Sequence, residues 1–162
     1  MTKNLITLVS ITAVIIIIAA IFRPAPTENK SVADANSVLV SDATFYDFGE
    51  ISMAKGTVAY EFKIQNSGNE KIDLDKIYTS CMCTSAWLIR GESRKGPFGM
   101  QGHGFAPPVN EFLESGEEAM VKVIFDPAAH GPAGVGTIER SVFLEGNGSI
   151  LLELKISATV KP

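Results

Sequence analysis

The chain has 162 residues, 46% of them hydrophobic, and carries 14 Lys and Arg against 18 Asp and Glu, for a formal net charge of −4. This length fits one domain with short attachments and not two full domains. The acidic balance argues against nucleic-acid binding, because a protein that neutralises phosphates needs a basic face.

The N-terminal segment is apolar enough to cross a membrane. Residues 5–22 contain no charged side chain, and a helix of that length is about 27 Å long, close to the thickness of a bilayer core. We therefore expect residues 1–22 to form one transmembrane signal anchor, whose membrane residues include Leu5, Val14, Ile18 and Phe22. A cleaved signal peptide is the rival interpretation, although no Ala-x-Ala site directly follows the apolar run. No Cys follows the run, which excludes a lipoprotein anchor.

The segments after the anchor suggest how the protein is arranged. The short N-terminus with Lys3 is expected to stay in the cytoplasm, so that the C-terminal part is periplasmic or extracellular. Residues 23–37 are rich in Pro, Ala and small polar types, which is typical of a flexible linker. The sequence therefore predicts a single-pass membrane protein with one exported domain at residues 38–162, in which 16 Asp and Glu outnumber 11 Lys and Arg.

The exported part has the period-two pattern of β-strands. Val58, Tyr60, Phe62 and Ile64 alternate with polar residues, which predicts a half-buried strand at residues 58–65. The same criterion predicts further strands at residues 38–40, 44–47, 72–78, 86–89, 119–125, 137–145 and 149–160. The last of these places one apolar face at Ile150, Leu152, Leu154, Ile156 and Ala158.

Turn signals complete the fold prediction. Gly146-Asn147-Gly148 predicts a tight hairpin, because Asn-Gly tolerates a positive φ, and a change of alternation near Lys76 predicts a bulge. With no amphipathic helix beyond residue 37, we expect an all-β fold. The expected architecture is an immunoglobulin-like antiparallel β-sandwich of seven to eight strands.

Several short motifs occur in order along this part of the chain. They are Phe45-Tyr46-Asp47-Phe48-Gly49-Glu50-Ile51, Gly56, Phe62, Asn66-x-Gly68, Ser80-Cys81-Met82-Cys83-Thr84 and Phe125-Asp126-Pro127. The set resembles the bacterial exported family called domain of unknown function 1573. Members of that family carry a Cys-Gly-Cys-Thr signature and look like the immunoglobulin-like domains of the Hydin and major sperm protein group. The resemblance covers about residues 38–160 and implies a sandwich domain in the cell envelope, without implying an activity.

The chain departs from the family pattern in two places. Met82 replaces the glycine of the signature, so the backbone freedom of that glycine is absent. Residues 90–117 form a long insertion where the family has a short connection ending in Pro-Gly.

Cys81 and Cys83 are the two cysteines of the chain, and three interpretations of the pair are open. A disulfide would close a small, strained ring that stabilises little. Two thiolates one residue apart suit a soft metal, Cu(I) or less well Zn(II). The third interpretation is a pair of buried reduced thiols packed as small hydrophobic groups.

The metal interpretation depends on two histidines and on strand order. Met100 and His103 lie three residues apart in the insertion, and His130 lies between two predicted strands. If one strand separates Cys83 from residue 119, antiparallel alternation places His130 at the same end of the sandwich as the cysteines. The candidate ligands would then be Cys81, Cys83, His103 and His130, with Met82 or Met100. The alternative for each histidine is a loop residue bonded to backbone or water.

The sequence supports two hypotheses about the function of the protein. The sequence has no Ser/His/Asp arrangement, phosphate-binding loop or paired carboxylates in a plausible context, so we do not expect an enzyme. The first hypothesis is a non-catalytic envelope module that binds another protein through its sheet edges or residues 90–117. The alternative is a copper-binding or thiol-redox protein that uses Cys81 and Cys83. No cofactor is firmly implied, and Cu(I) enters only with this alternative.

Overall fold

The computed structural model describes residues 38–103 and 108–162. The expected anchor at residues 1–22 and linker at 23–37 lie outside them. In the described part, no helix has the length and apolar character needed to span a membrane. The described residues form two 3₁₀ turns, at Met53–Lys55 and Gly131–Gly134, and eleven strands. The strands are β1 (Leu39–Ser41), β2 (Phe45–Ser52), β3 (Val58–Asn66), β4 (Ile72–Leu74), β5 (Lys76–Thr79), β6 (Thr84–Arg90), β7 (Ser93–Phe98), β8 (Glu111–Leu113), β9 (Glu118–Phe125), β10 (Gly136–Gly146) and β11 (Ser149–Lys161).

Nine strands form the two sheets of a β-sandwich. One sheet has the order β1-β3-β9-β6-β7 and the other has the order β2-β11-β10-β5, while β4 and β8 form a separate pair. The buried core contains large side chains from both sheets, such as Phe62 of β3 and Leu154 of β11. The prediction of an all-β sandwich is confirmed. The strand count is higher than predicted, and β2 pairs with β11 in parallel, so the sandwich is not wholly antiparallel.

The strand predicted at residues 72–78 is two strands. Asp75 separates β4, which pairs with β8, from β5, which pairs with β10. Its backbone N–H donates to Glu145 O at 2.9 Å, and its carboxylate accepts the Asn147 N–H at 2.8 Å. The change of alternation near Lys76 therefore marks a change of pairing partner and not a bulge within one strand.

Two tight backbone positions are filled by residues that tolerate a positive φ. Gly49, in the Phe-Gly-x-Ile motif, has a φ of 66° and lies opposite a register shift between Ser157 and Thr159 of β11. Its N–H donates to Asp47 Oδ1 at 3.0 Å. The predicted hairpin is confirmed, since Asn147 and Gly148 have φ values of 53° and 74°.

The face predicted for β11 is correct at Leu154, Ile156 and Ala158, which are buried, and wrong at Ile150, which is exposed. Leu144 pairs with Leu152 and Glu145 pairs with Ile150, so the pairing of β10 and β11 shifts by one residue. Leu151 is the extra residue of this bulge and packs against the core. A bulge reverses the faces that simple alternation assigns.

The segment 90–117 contributes to the core and is more than a surface insertion. It contains β7 and β8, and Phe98, Val109 and Leu113 are fully buried. Arg90 holds the segment together, because its guanidinium donates to Glu111 and to Glu117 Oε1. The Lys95 ammonium and the Arg90 guanidinium lower the pKa of the Glu111 carboxyl. The Glu114 N–H and Arg90 likewise lower the pKa of Glu117.

We predict that Arg90→Met lowers the free energy of unfolding at neutral pH by about 1–2 kcal/mol, because two partly buried carboxylates lose the Arg90 guanidinium as one of their partners. A lowered carboxyl pKa stabilises the fold above the unfolded-state value of about 4.3, and this contribution is lost as the pH falls through the folded-state value. The difference between variant and parent should therefore shrink in acid. Urea unfolding at neutral pH and near pH 3 measures it.

Lys63→Met is the matched control, because the Lys63–Glu118 ion pair is exposed on both sides. It should change stability far less than Arg90→Met. Equal effects of the two variants would show that the Arg90 cluster is no more stabilising than a surface pair.

Candidate metal centre

The two cysteines lie in a tight turn that connects the two sheets. The turn runs from Cys81 to Thr84, between the end of β5 and the start of β6, and the Thr84 N–H donates to Cys81 O at 3.1 Å. Thr79 Oγ1 lies 2.9 Å from Cys81 O, and the Asp126 N–H donates to Cys83 O at 2.9 Å. The backbone of the turn is thus fixed from both sides.

Met82 occupies the centre of this turn. Its φ is not positive, so the turn forms without the glycine of the family signature. The Met82 side chain is 62% exposed. The substitution therefore leaves the turn intact and adds an exposed thioether side chain to it.

His130 lies in the loop after β9, at the start of the second 3₁₀ turn. Asp126 Oδ1 accepts the Ala128 N–H at 2.9 Å, and the Gly131 N–H donates to Ala128 O at 2.9 Å. A Cβ on Gly134 would lie 3.3 Å from His130 Cβ, so a glycine at this position avoids a tight contact with the base of the His130 side chain.

Strand pairing brings the two loops together. β6 and β9 are antiparallel neighbours, and Thr84 pairs with Phe125, so the start of β6 lies beside the end of β9. Three strands separate Cys83 from β9 along the chain, where the prediction considered one. One of the three, β8, belongs to the separate β4–β8 pair, so it is the antiparallel pairing of β6 with β9, and not the strand count, that places the cysteines and His130 at the same end of the sandwich.

The side chains of these loops form one cluster. Cys81 Sγ lies 3.2 Å from His130 Nε2, and the Cys83 N–H donates to Cys81 Sγ at 3.4 Å. The two sulfurs and a ring nitrogen of His130 all lie within 4.8 Å of one another, so this group can hold a metal ion. Cys81 is partly exposed and Cys83 is 3% exposed, and the form of the pair that can bind a metal is the reduced one.

Arg140 is a site residue that the sequence analysis missed. Its Nε donates to Cys83 Sγ at 3.2 Å, and its Nη1 donates to Glu139 O at 2.7 Å. In β10, Arg140 follows Ile138 and precedes Val142 at every second residue, on the face that points into the core. A charged residue in an inward position of a period-two pattern was the available signal.

The other predicted ligands lie in the loop after β7. Met100 forms an isolated β-bridge with Thr79, and Thr79 lies two residues before Cys81 in the sequence. His103 is exposed, and its N–H donates to Met100 O at 3.3 Å. The three-residue group does not include His103. Metal binding by His103 and Met100 stays a prediction.

The fold and this cluster define an all-β sandwich with two thiols and an imidazole at one end. The resemblance to the bacterial family is confirmed over part of the chain, because the model of the family described as protein of unknown function (DUF1573) matches residues 39–96. The match includes the Phe-Gly-x-Ile motif and the cysteine turn but ends before His130 and Arg140. No functionally curated protein matches the chain in sequence.

Three solved structures resemble the fold at low sequence identity. A protein of unknown function from Porphyromonas gingivalis is 17% identical with a TM-score of 0.55, over 75% of this chain and 46% of that chain. The secreted serine protease VesC from Vibrio cholerae is 12% identical with a TM-score of 0.50, over 82% and 25%. A family 123 glycoside hydrolase from Clostridium perfringens is 5% identical with a TM-score of 0.50, over 72% and 22%. The chain spans less than half of each, and the likeness concerns the fold alone.

We predict that the two thiols differ in reactivity. Brief treatment of the reduced, native protein with iodoacetamide should modify Cys81 faster than Cys83 by roughly tenfold or more, because the reagent needs access to the sulfur. Peptide mass spectrometry measures the two rates. Both cysteines should react alike in urea, and equal rates in the native protein would contradict the burial of Cys83.

Proposed function

We propose that this protein is a membrane-tethered, extracytoplasmic domain that binds one soft metal ion through Cys81, Cys83 and His130. The observation that carries this proposal is the convergence of two sulfurs and one imidazole from loops 49 residues apart. Two buried thiols packed as small hydrophobic groups would need no imidazole beside them. Cys81 is partly exposed and His130 is exposed, which gives a metal a path to the site.

The donor set favours Cu(I) as the ion. Thiolate sulfur is a soft ligand that selects Cu(I), whereas Zn(II) in structural sites takes four tetrahedral ligands. The cluster offers three protein ligands. Metal binding requires both thiols in the deprotonated form, and each sulfur faces a hydrogen-bond donor. Cys81 Sγ accepts the Cys83 N–H, and Cys83 Sγ accepts Arg140 Nε.

The proposed activity is binding without catalysis. The sequence offers no nucleophile, base and orienting acid in a recognisable arrangement. The apolar residues 5–22 support attachment to a membrane, and the short polar N-terminus supports export of the domain. A domain held at the membrane surface can take up a metal ion there and pass it to another envelope protein.

We predict that the full-length, reduced protein binds about one Cu(I) per chain, as expected for one group of three ligands. Binding should be lost in Cys81→Ser and in Cys83→Ser and weakened by about tenfold or more in His130→Asn, since each removes a ligand. Competition with a chromophoric Cu(I) chelator under anaerobic conditions measures the affinity. The proposed three-ligand site leaves out His103, so His103→Asn is the matched control and should bind like the parent. Undiminished binding by the double cysteine variant would refute the proposal.

A second function, protein interaction, is favoured by the edge of the four-stranded sheet. β2 pairs with β11 on one side, and no described strand pairs with its other side. An eight-residue edge strand offers backbone donors and acceptors to an extended segment of a partner. Phe45, at its start, is 50% exposed. The proposed partner is an envelope protein that adds a strand beside β2.

We predict that a photo-crosslinking amino acid at Phe45 captures a protein in intact cells. The matched control is the same amino acid at Ile150, which is 49% exposed in the same sheet but lies at the β10–β11 hairpin. Mass spectrometry of the crosslinked bands identifies the partner. Equal capture at both positions would indicate nonspecific contact and contradict an interface at β2.

A further inference from the structure

Arg140 lies at a position of β10 that an apolar side chain would usually occupy. It occupies the inward face of β10, and its neighbours on that face, Ile138 and Val142, are buried. Burying a cation is unfavourable unless an anion or several acceptors face it. Arg140 itself is partly buried, so a group of opposite charge beside it would stabilise it.

The partner that the structure offers is the sulfur of Cys83. In residues 38–103 and 108–162, the Arg140 side chain donates to Cys83 Sγ and to Glu139 O, and it forms no ion pair with a carboxylate. A backbone carbonyl supplies no net charge. A guanidinium does not lose its proton in proteins, and Cys83 becomes a thiolate when it binds a metal, so Arg140 faces a sulfur that is anionic in the loaded site.

We propose that Arg140 makes this site selective for a monovalent cation, Cu(I), over divalent Zn(II). The inference rests on the proposed function, since it assumes that the Cys81, Cys83 and His130 cluster binds a metal. Two thiolates and one guanidinium give the site a net charge of −1, because the imidazole is neutral as a ligand. A monovalent ion brings the sum to zero, and a divalent ion leaves an excess positive charge beside a buried sulfur. A partly buried site favours the neutral sum.

Arg140 acts through a ligand atom and not on the metal itself. Its Nε contacts the sulfur of Cys83, so it is a positioning residue whose charge is part of the site. A purely structural role would alter the affinity for both ions alike. The ratio of the two affinities is therefore the quantity that separates an electrostatic role from a structural one.

The experiment compares the full-length parent with Arg140→Lys, Arg140→Gln and Arg140→Thr. Cu(I) and Zn(II) affinities are measured by competition with chromophoric chelators on reduced protein, and circular dichroism checks the fold. The ratio of Cu(I) to Zn(II) affinity should fall by about tenfold or more in the Gln and Thr variants, which lose a unit charge close to the metal. The Lys variant keeps the charge and should stay within about threefold of the parent.

The two neutral variants differ in shape, and Thr is favoured in strands, so a folding defect in one leaves the other to decide. An unchanged ratio in a folded neutral variant overturns the inference while the proposed metal binding stands. A ratio lowered equally in the Lys variant also overturns it, because the charge would then not be the cause. If the parent binds neither ion, the proposed function fails, and this inference fails with it.

Discussion

The antiparallel pairing of β6 with β9 is the constraint on which the site depends. Thr84 lies opposite Phe125, so the turn that precedes β6 and the loop that follows β9 meet at one end of the five-stranded sheet. This register places Cys81 Sγ beside His130 Nε2. A shift of one residue would turn every side chain of β6 to the opposite face, and the buried residues Ala86 and Leu88 oppose such a shift.

Most of the sandwich could be predicted from alternation and turn residues. The strand at 58–65 and the Asn147-Gly148 hairpin are recognisable because each carries a local signal that tertiary structure does not override. The split at Asp75 and the bulge at Leu151 could not be predicted, because both arise from a change of pairing partner or register between strands distant in sequence. Local patterns contain no information about such pairing.

The candidate site was predictable in part for the same reason. The Cys-x-Cys pair and His130 stand out by residue type, and the antiparallel alternation of strands indicated that they could share one end. Arg140 was missed because nothing near it in sequence links it to Cys83, which lies 57 residues earlier. Its inward position in β10 becomes evident only when the strand faces are assigned. The segment 90–117 was predicted as an insertion because the resembled family has a short connection there, yet β7 completes an edge of the five-stranded sheet.

Both loops of the cluster are crossovers between the two layers. The cysteine turn leads from β5 of the four-stranded sheet to β6 of the five-stranded sheet, and the His130 loop leads back from β9 to β10. An ion coordinated by both loops would crosslink the two sheets at that end, as an inter-sheet disulfide does in other sandwiches. Release of the ion would remove this link between the sheets. The force needed to separate the two sheets would therefore indicate whether the ion is bound.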